Sequence, residues 1–338
     1  MLMLISINTI FISCITFDLH IMAYFKLQSG GRMPAIGYGT FMATELELEK
    51  SLNIALETGY RFIDTAARYN NEAVIGKVLN EWISAGKVTR EELFIQTKLP
   101  CYGNRAEDVD HYIKQSLENL QLDYIDMYLI HHPIGLFKNG KSDYSEMEID
   151  KSTDHLKIWK KMEDQVHNGR TKAIGLSNFN IKQVQRILDN CKIKPENLQN
   201  ENHLYLQSPE VVEFCKNNSI IFTSYSSLGM KAFRELAGLS WKNEQLPNML
   251  ENEVLVNIAK KHGKTPAQVL LRFINQKGVS IIPKSTNPQR IVENFQIFDF
   301  KLDAGDMDAL RSQDNGEGGR IVRITMIKNI ADHPEYPF

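Results

Sequence analysis

The feature that most constrains this fold is an alternation. After residue 22, short apolar runs and amphipathic helical stretches take turns to the end of the chain, with no Pro/Ser/Gly-rich linker between them. Eight runs read as strands, at 36–40, 62–64, 94–98, 124–130, 173–176, 197–201, 220–224 and 279–282. Thr44 and Glu47 form a capping box ahead of the helical face Leu48, Leu52, Ala55 and Leu56, which stops at Gly59. Further helices are expected near 71–85, 106–120, 153–168 and 181–190, from the cap-plus-Pro pairs Ser208-Pro209 and Thr265-Pro266, and finally over 288–295. Residues 25–27 and 33–36 flank Gln28-Ser29-Gly30-Gly31-Arg32 as an N-terminal β-hairpin. Eight helix-separated strands point to the α/β class: a closed parallel (β/α)8 TIM barrel, with the hairpin before it and a long C-terminal loop after it. Residues 23–338 are expected to form one domain.

Residues 1–22 stand apart. They are apolar and lack Lys and Arg, and Ser6, Asn8, Thr9, Ser13 and Thr16 interrupt the run, which makes a poor membrane span. An apolar extension ahead of Met22 and a signal-like segment both remain open, so the expected location is cytoplasmic, or secreted if the segment is a signal. The formal charge of -2 and the absence of Lys/Arg runs argue against a nucleic-acid surface or a membrane partner. Four scattered cysteines, Cys14, Cys101, Cys191 and Cys215, suit reduced thiols, and no metal-ligand spacing occurs.

In such a barrel, chemistry belongs where the strands end. Those ends carry Asp64, Lys98, His131, Ser177-Asn178, Gln199, Tyr225 and Lys284, with Tyr69 just past the second strand. Taken singly, Asp64–Lys98 is as readily a buried ion pair, and His131 a satisfied core histidine. Together they outline a proton-transfer site. An unperturbed tyrosine hydroxyl titrates near ~10. A neighbouring ammonium is expected to lower that value and make Tyr69 a usable donor, with Asp64 holding Lys98 charged and His131 orienting a carbonyl. A metal-dependent hydrolase would need more ligands than His131 and Asp64 supply.

The motifs Gly59-Tyr60-Arg61-Phe62-Ile63-Asp64-Thr65-Ala66 with Tyr69 and Asn71-Glu72, Tyr128-Leu129-Ile130-His131-His132-Pro133, Gly175-Leu176-Ser177-Asn178-Phe179, Ile282-Pro283-Lys284-Ser285 and the closing His333-Pro334-Glu335-Tyr336-Pro337-Phe338 resemble those of the aldo-keto reductases. The resemblance covers about residues 24–338. It implies a catalytic tetrad of Asp64, Tyr69, Lys98 and His131, and hydride from NADPH held without a Rossmann domain. The lone Gly37-Tyr38-Gly39 agrees, since it lacks the rest of a dinucleotide fingerprint. The resemblance further places Ser177, Asn178 and Gln199 on the nicotinamide carboxamide, Tyr225 on its ring and Thr40 by the ribose. Ser226, Leu228 and Gly229 would follow the pyrophosphate. Lys284, Ser285, Thr286 and Arg290 would take the 2′-phosphate, with Glu293 and Asn294 at the adenine.

Two positions depart from the family pattern: His132 and Phe41 each stand where Trp is usual. With Tyr69 and His131 they would line the substrate pocket. The loops 132–152 and 227–248 and the tail after 311, where Ile321, Val322, Ile324 and Met326 form an apolar wall, suit a moderately hydrophobic aldehyde or ketone. The apolar leader is similar to that of insect ecdysteroid-type ketone reductases. The family implies a monomer acting on a small carbonyl compound. A non-enzymatic binding or structural homologue is the alternative, and it predicts decay of the tetrad, all four of whose residues are present.

Overall fold

The structure is a computed structural model that describes residues 23–141, 146–230, 246–324 and 327–338. Residues 1–22, most of the 227–248 segment and Met326 lie outside the described residues. Two antiparallel strands, β1 (Tyr24–Lys26) and β2 (Arg32–Pro34), open it as the expected hairpin. The main sheet has eight parallel strands: β3 (Tyr38–Gly39), β4 (Phe62–Asp64), β5 (Phe94–Leu99), β6 (Ile125–Ile130), β9 (Thr171–Ser177), β10 (Asn197–Glu201), β11 (Ile221–Tyr225) and β12 (Ser280–Ile281), neighbours in that order. The seam between last and first closes through a parallel bridge from Ile36 to Ile281, with Gly37 N donating to Ile281 O at 2.8 Å and Gly39 N to Pro283 O at 3.2 Å. A Cβ on Gly39 would lie 2.6 Å from the Ile282 carbonyl, so only glycine lets the two edges meet there. The Gly-x-Gly of the sequence is thus a feature of barrel closure.

Ten helices pack around the sheet among the described residues: α1 (Glu45–Thr58), α2 (Glu72–Ser84), α3 (Val109–Leu120), α4 (His155–His167), α5 (Ile181–Leu188), α6 (Pro209–Asn217), α7 (Glu253–His262), α8 (Pro266–Gln276), α9 (Pro288–Phe295) and α10 (Ala304–Arg311). The Glu47 carboxylate takes both the N–H and the hydroxyl of Thr44, and Gly59 ends α1 in a left-handed conformation. Several expectations need correction. The first strand is shorter than 36–40, because the backbone around Ile36 is spent on the seam. The helix expected from 153 is capped by Asp154, whose carboxylate accepts from Leu156 N and Lys157 N. The loop 132–152 carries its own hairpin, β7 (Gly135–Phe137) with β8 (Glu148–Asp150). The chain does not end its helices at 295 but adds α10, and α7 was not foreseen.

The period of two along each strand sorts the barrel interior from its wall. On β5, Ile95 and Leu99 join the large core between sheet and helices, while Phe94 joins a separate cluster with Phe62, Met127, Leu129, Ala173 and Ile221. That inner cluster also contains Leu27 and Met33, so the N-terminal hairpin plugs the bottom of the barrel. Burying side chains of this size contributes roughly 1.5–3 kcal/mol each. Above the plug the same inward rows turn polar, with Gln96 and then Lys98 on β5. Among the described residues no helix is long and apolar enough to cross a membrane.

Candidate active site

The polar rows end in a cavity of about 630 Å³ at the C-terminal ends of the strands. Its walls include Asp64, Tyr69, His131, Ser177, Asn178, Gln199 and Tyr225, which come from five strands, β4, β6, β9, β10 and β11, or the loops that follow them. Tyr69 closes a 3₁₀ turn, Ala67–Tyr69, that follows β4. The turn is fixed from both sides. Tyr69 N donates to Ala66 O at 2.9 Å, and Asn70 takes a left-handed φ of 53° to reverse the chain. Asn71 then accepts from Thr65 Oγ1 and donates to Thr40 O, both at 2.9 Å. The Tyr69 ring meets Phe41 at 5.0 Å and His131 at 5.7 Å between centroids.

Lys98 lies beneath the cavity floor with no solvent exposure. Its Nζ donates to both Asp64 oxygens, at 2.8 and 2.9 Å, and to Thr65 O at 2.8 Å. Gln96 Nε2 and Gln199 Nε2 add donors to Asp64 Oδ1 at 2.7 and 2.9 Å. Asp64 is therefore the acceptor at the centre of a buried network that ties β4, β5 and β10 together. Burial pulls Lys98 below its ordinary value, with Asp64 working against it.

One expectation is overturned here. Burial pushes the Tyr69 hydroxyl well above its ordinary value, the charge of Asp64 adds to that, and Arg68 opposes it. The ammonium of Lys98 sits 5.3 Å from the ring centroid and spends its hydrogen bonds on Asp64 and Thr65, so it does not prevail. Tyr69 is held protonated. His131 is driven the other way, well below its ordinary value by burial and by its neighbours His132, Lys98 and Arg68, and is a neutral imidazole. His132 stacks on it at 4.9 Å and 15°, and is itself pulled down to about 3, first by burial and then by Arg68. Nδ1 of each ring is buried without a hydrogen-bond partner among the described residues.

The candidate cofactor positions lie along the same cavity. Thr40, Ser177, Asn178, Gln199, Tyr225, Ser226, Leu228, Lys284, Ser285, Thr286, Arg290, Glu293 and Asn294 all line it, as do Phe41 and His132. Asn178 has a positive φ of 64° at the end of β9. Its side chain donates to His131 O at 2.8 Å and accepts from the Tyr225 hydroxyl at 2.6 Å. A non-glycine residue in this region is strained, and such strain gathers at functional sites. Gly229 is flanked by the lining residues Leu228 and Met230; its N–H closes a turn onto Ser226 O at 2.8 Å, and a Cβ there would strike Met249. Of the expected apolar wall, Val322 and Ile324 line the cavity, whereas Ile321 packs into the main core.

Sequence reasoning missed Arg68, Met42, Met230 and Asn287, all of which line the cavity. Met42 and Met230 both have positive φ, which apolar sequence gives no reason to expect. Arg68 sits one position before Tyr69, and that spacing was the available signal.

The sequence profile described as "Aldo/keto reductase family" matches residues 29–315. The chain is 39% identical to prostaglandin F synthase 1 of Bos taurus over 321 residues, covering 93% of this chain and 96% of that protein. It is 38% identical to aldo-keto reductase family 1 member A1 of Xenopus tropicalis, covering 93% and 97%. Among solved structures, the aldose reductase from Schistosoma japonicum superposes with a TM-score of 0.83 at 37% identity, covering 94% of this chain and 99% of that one.

Proposed function

Because the chain belongs to the aldo/keto reductase family, we propose that it reduces an aldehyde or ketone to the alcohol with NADPH, and that Tyr69 supplies the proton. The observation that carries this reading is the meeting of Tyr69, neutral His131 and the Asp64–Lys98 pair at one part of a cavity that also bears Lys284, Ser285, Thr286 and Arg290. The second group suits NADPH. A 2′-phosphate needs fixed positive charge and hydroxyl donors, and these residues bring both. The Ser285 carbonyl accepts from the buried Tyr38 hydroxyl at 2.7 Å, which anchors this segment to α1 through Ser51. Ser177, Asn178 and Gln199 offer amides and a hydroxyl for the carboxamide.

When bound, NADPH supplies a hydride to the carbonyl carbon. His131, neutral and facing Tyr69, is placed to donate a hydrogen bond to the carbonyl oxygen and orient it. The Tyr69 hydroxyl gives its proton to that oxygen, so one hydride and one proton turn C=O into CH–OH. A tyrosine of raised pKa remains an able donor, because an alkoxide is a stronger base than a phenolate. Lys98, held by Asp64, opposes the negative charge left on the ring system. Phe41, His132, Val322 and Ile324 suit a moderately hydrophobic substrate.

Two measurements test this reading. Catalytic efficiency with NADPH is expected to exceed that with NADH by tenfold or more, and Arg290→Ala to lower the NADPH value about tenfold, since a hydrogen bond to a charged group contributes roughly 1.5–3 kcal/mol. NADH should be nearly unaffected by the change. Equal efficiencies with the two cofactors would remove NADPH from the reading. The second is the pH profile of carbonyl reduction. Tyr69 is raised above ~10 and His131 lowered below ~6.5, so neither changes protonation between those limits. The turnover number should be flat from about pH 6.5 to 8. Activity that rises with protonation of a histidine in this window would contradict the role given to His131.

A further inference from the structure

We propose that Glu201 sets the substrate preference of this enzyme indirectly, by holding the C-terminal tail on the barrel so that Val322 and Ile324 form a wall for the apolar part of the substrate. The inference rests on the reductase reading and adds a positioning residue to it. Glu201 ends β10, two residues beyond Gln199, and is only 2% exposed. Gln199 is among the residues that line the cavity and Glu201 is not. Three donors converge on its carboxylate. Oε1 accepts from Ile321 N at 2.7 Å, Oε2 accepts from Val322 N at 2.8 Å, and His203 Nε2 lies 2.9 Å from Oε1. Tyr205 N donates to His203 Nδ1 at 3.3 Å, which leaves Nε2 as the ring nitrogen that donates to Glu201.

A carboxylate suits this task. Two consecutive backbone N–H groups each meet one of its oxygens, which fixes both the position and the tilt of the segment. Bonds to a charged acceptor are also roughly twice as strong as neutral ones. The two residues send their side chains different ways: Ile321 packs against the main core and Val322 lines the cavity. Among the described residues, these two bonds are the ones that tie the stretch 316–332 to the barrel. Its other hydrogen bonds stay within the tail, as with Arg320 on Glu317, Arg323 on the Glu317 carbonyl and the Tyr336 hydroxyl on the Arg323 carbonyl. Ile324 supplies a second and independent sign of constraint. Its φ of 57° is left-handed, which is rare for a β-branched residue, and such a conformation persists only where its surroundings hold it. Once the bonds at 321 and 322 are loosened, the strained residue is free to relax and the wall loses its shape. None of these bonds involves Tyr69, Lys98 or His131, so the loss should fall on apolar recognition and spare the chemical step.

The test uses the full chain with NADPH and straight-chain aldehydes from propanal to octanal. In the wild type, kcat/KM should rise about two- to fourfold per methylene once the chain reaches the wall, the upper value being that of a fully buried methylene. Glu201→Gln keeps the shape of the side chain but sets its amide N–H group against one of the three donors. It should flatten that rise, lowering kcat/KM for octanal by about tenfold, the worth of roughly two buried methylenes, and leaving propanal within about twofold. A general weakening of the fold would depress every chain length alike. Val322→Ala should give a loss of the same kind, and the two losses should not multiply in the double variant, because both act on one wall. Amide hydrogen exchange on the wild type needs no variant to fold: the Ile321 and Val322 N–H groups should exchange at least about tenfold more slowly than in an unstructured peptide. A wild-type efficiency that does not change with chain length, equal losses for propanal and octanal in Glu201→Gln, or unprotected Ile321 and Val322 amides would each overturn the inference. If the wild type reduces none of these aldehydes, it is the reductase reading that fails, and the exchange of those two amides still decides whether Glu201 holds the tail.

Discussion

Tyr69→Phe is expected to lower the turnover number for carbonyl reduction by ~10²–10⁴-fold, the range a positioned proton donor contributes. The substitution removes one oxygen and keeps the ring. The contacts that hold the ring, with Phe41 at 5.0 Å and with His131 at 5.7 Å, should therefore survive. Thermal stability and NADPH affinity are then expected to stay near the wild-type values, and the loss should appear in the turnover number. The competing donor is His131, which faces the same ring. It is held neutral by burial and by the charges of Lys98 and Arg68, and a neutral imidazole is a hydrogen-bond donor long before it is an acid. Single-turnover reduction of an aldehyde by the Tyr69→Phe enzyme measures this directly. A rate within a few-fold of wild type would mean that the proton comes from elsewhere.

The strand ends were the legible part of this site, and the reason is geometric. A parallel barrel sends alternate residues of every strand inward, so a polar residue at the end of an apolar run has one place to go. Phe94, Gln96 and Lys98 climb β5 in that manner, from the plug to the floor of the cavity. Ser177, Gln199 and Tyr225 follow the same logic on β9, β10 and β11. The turns were harder. Arg68 carries no pattern of its own in the sequence, and only the 3₁₀ turn that carries it shows that it lines the pocket. The hairpin of β7 and β8 escaped because three-residue strands fixed by tertiary contacts leave little period to detect. The ionisation of Tyr69 was misread for a different reason. Charge signs are visible in sequence, but the depth of burial that outweighed Lys98 is not.

The Asp64–Lys98 pair yields the sharpest separation between stability and catalysis. Lys98→Met should destabilise the fold by roughly 3–5 kcal/mol, the usual cost of leaving one member of a buried pair behind. Asp64 would keep only Gln96 and Gln199 as donors among the contacts described above, in a place where water does not compensate. Adding Asp64→Asn removes the stranded charge. An amide of the same shape can still accept from one glutamine, and methionine fills much of the volume of the lysine stem. The double variant should therefore regain most of the lost stability, since a buried pair replaced by neutral groups is often close to neutral overall. Activity should not return, because the ammonium 5.3 Å from the Tyr69 ring centroid is then missing as the proton leaves, and Arg68 alone remains to oppose the charge. Thermal unfolding and single-turnover reduction, measured on the wild type, the single and the double variants, distinguish the outcomes. Recovery of both properties would make the pair a structural element alone. An unchanged melting temperature in Lys98→Met would show that water reaches the network from the cavity that Asp64 lines. The predicted pattern, stability restored and reduction still lost, assigns the pair its catalytic part independently of any measurement on Tyr69.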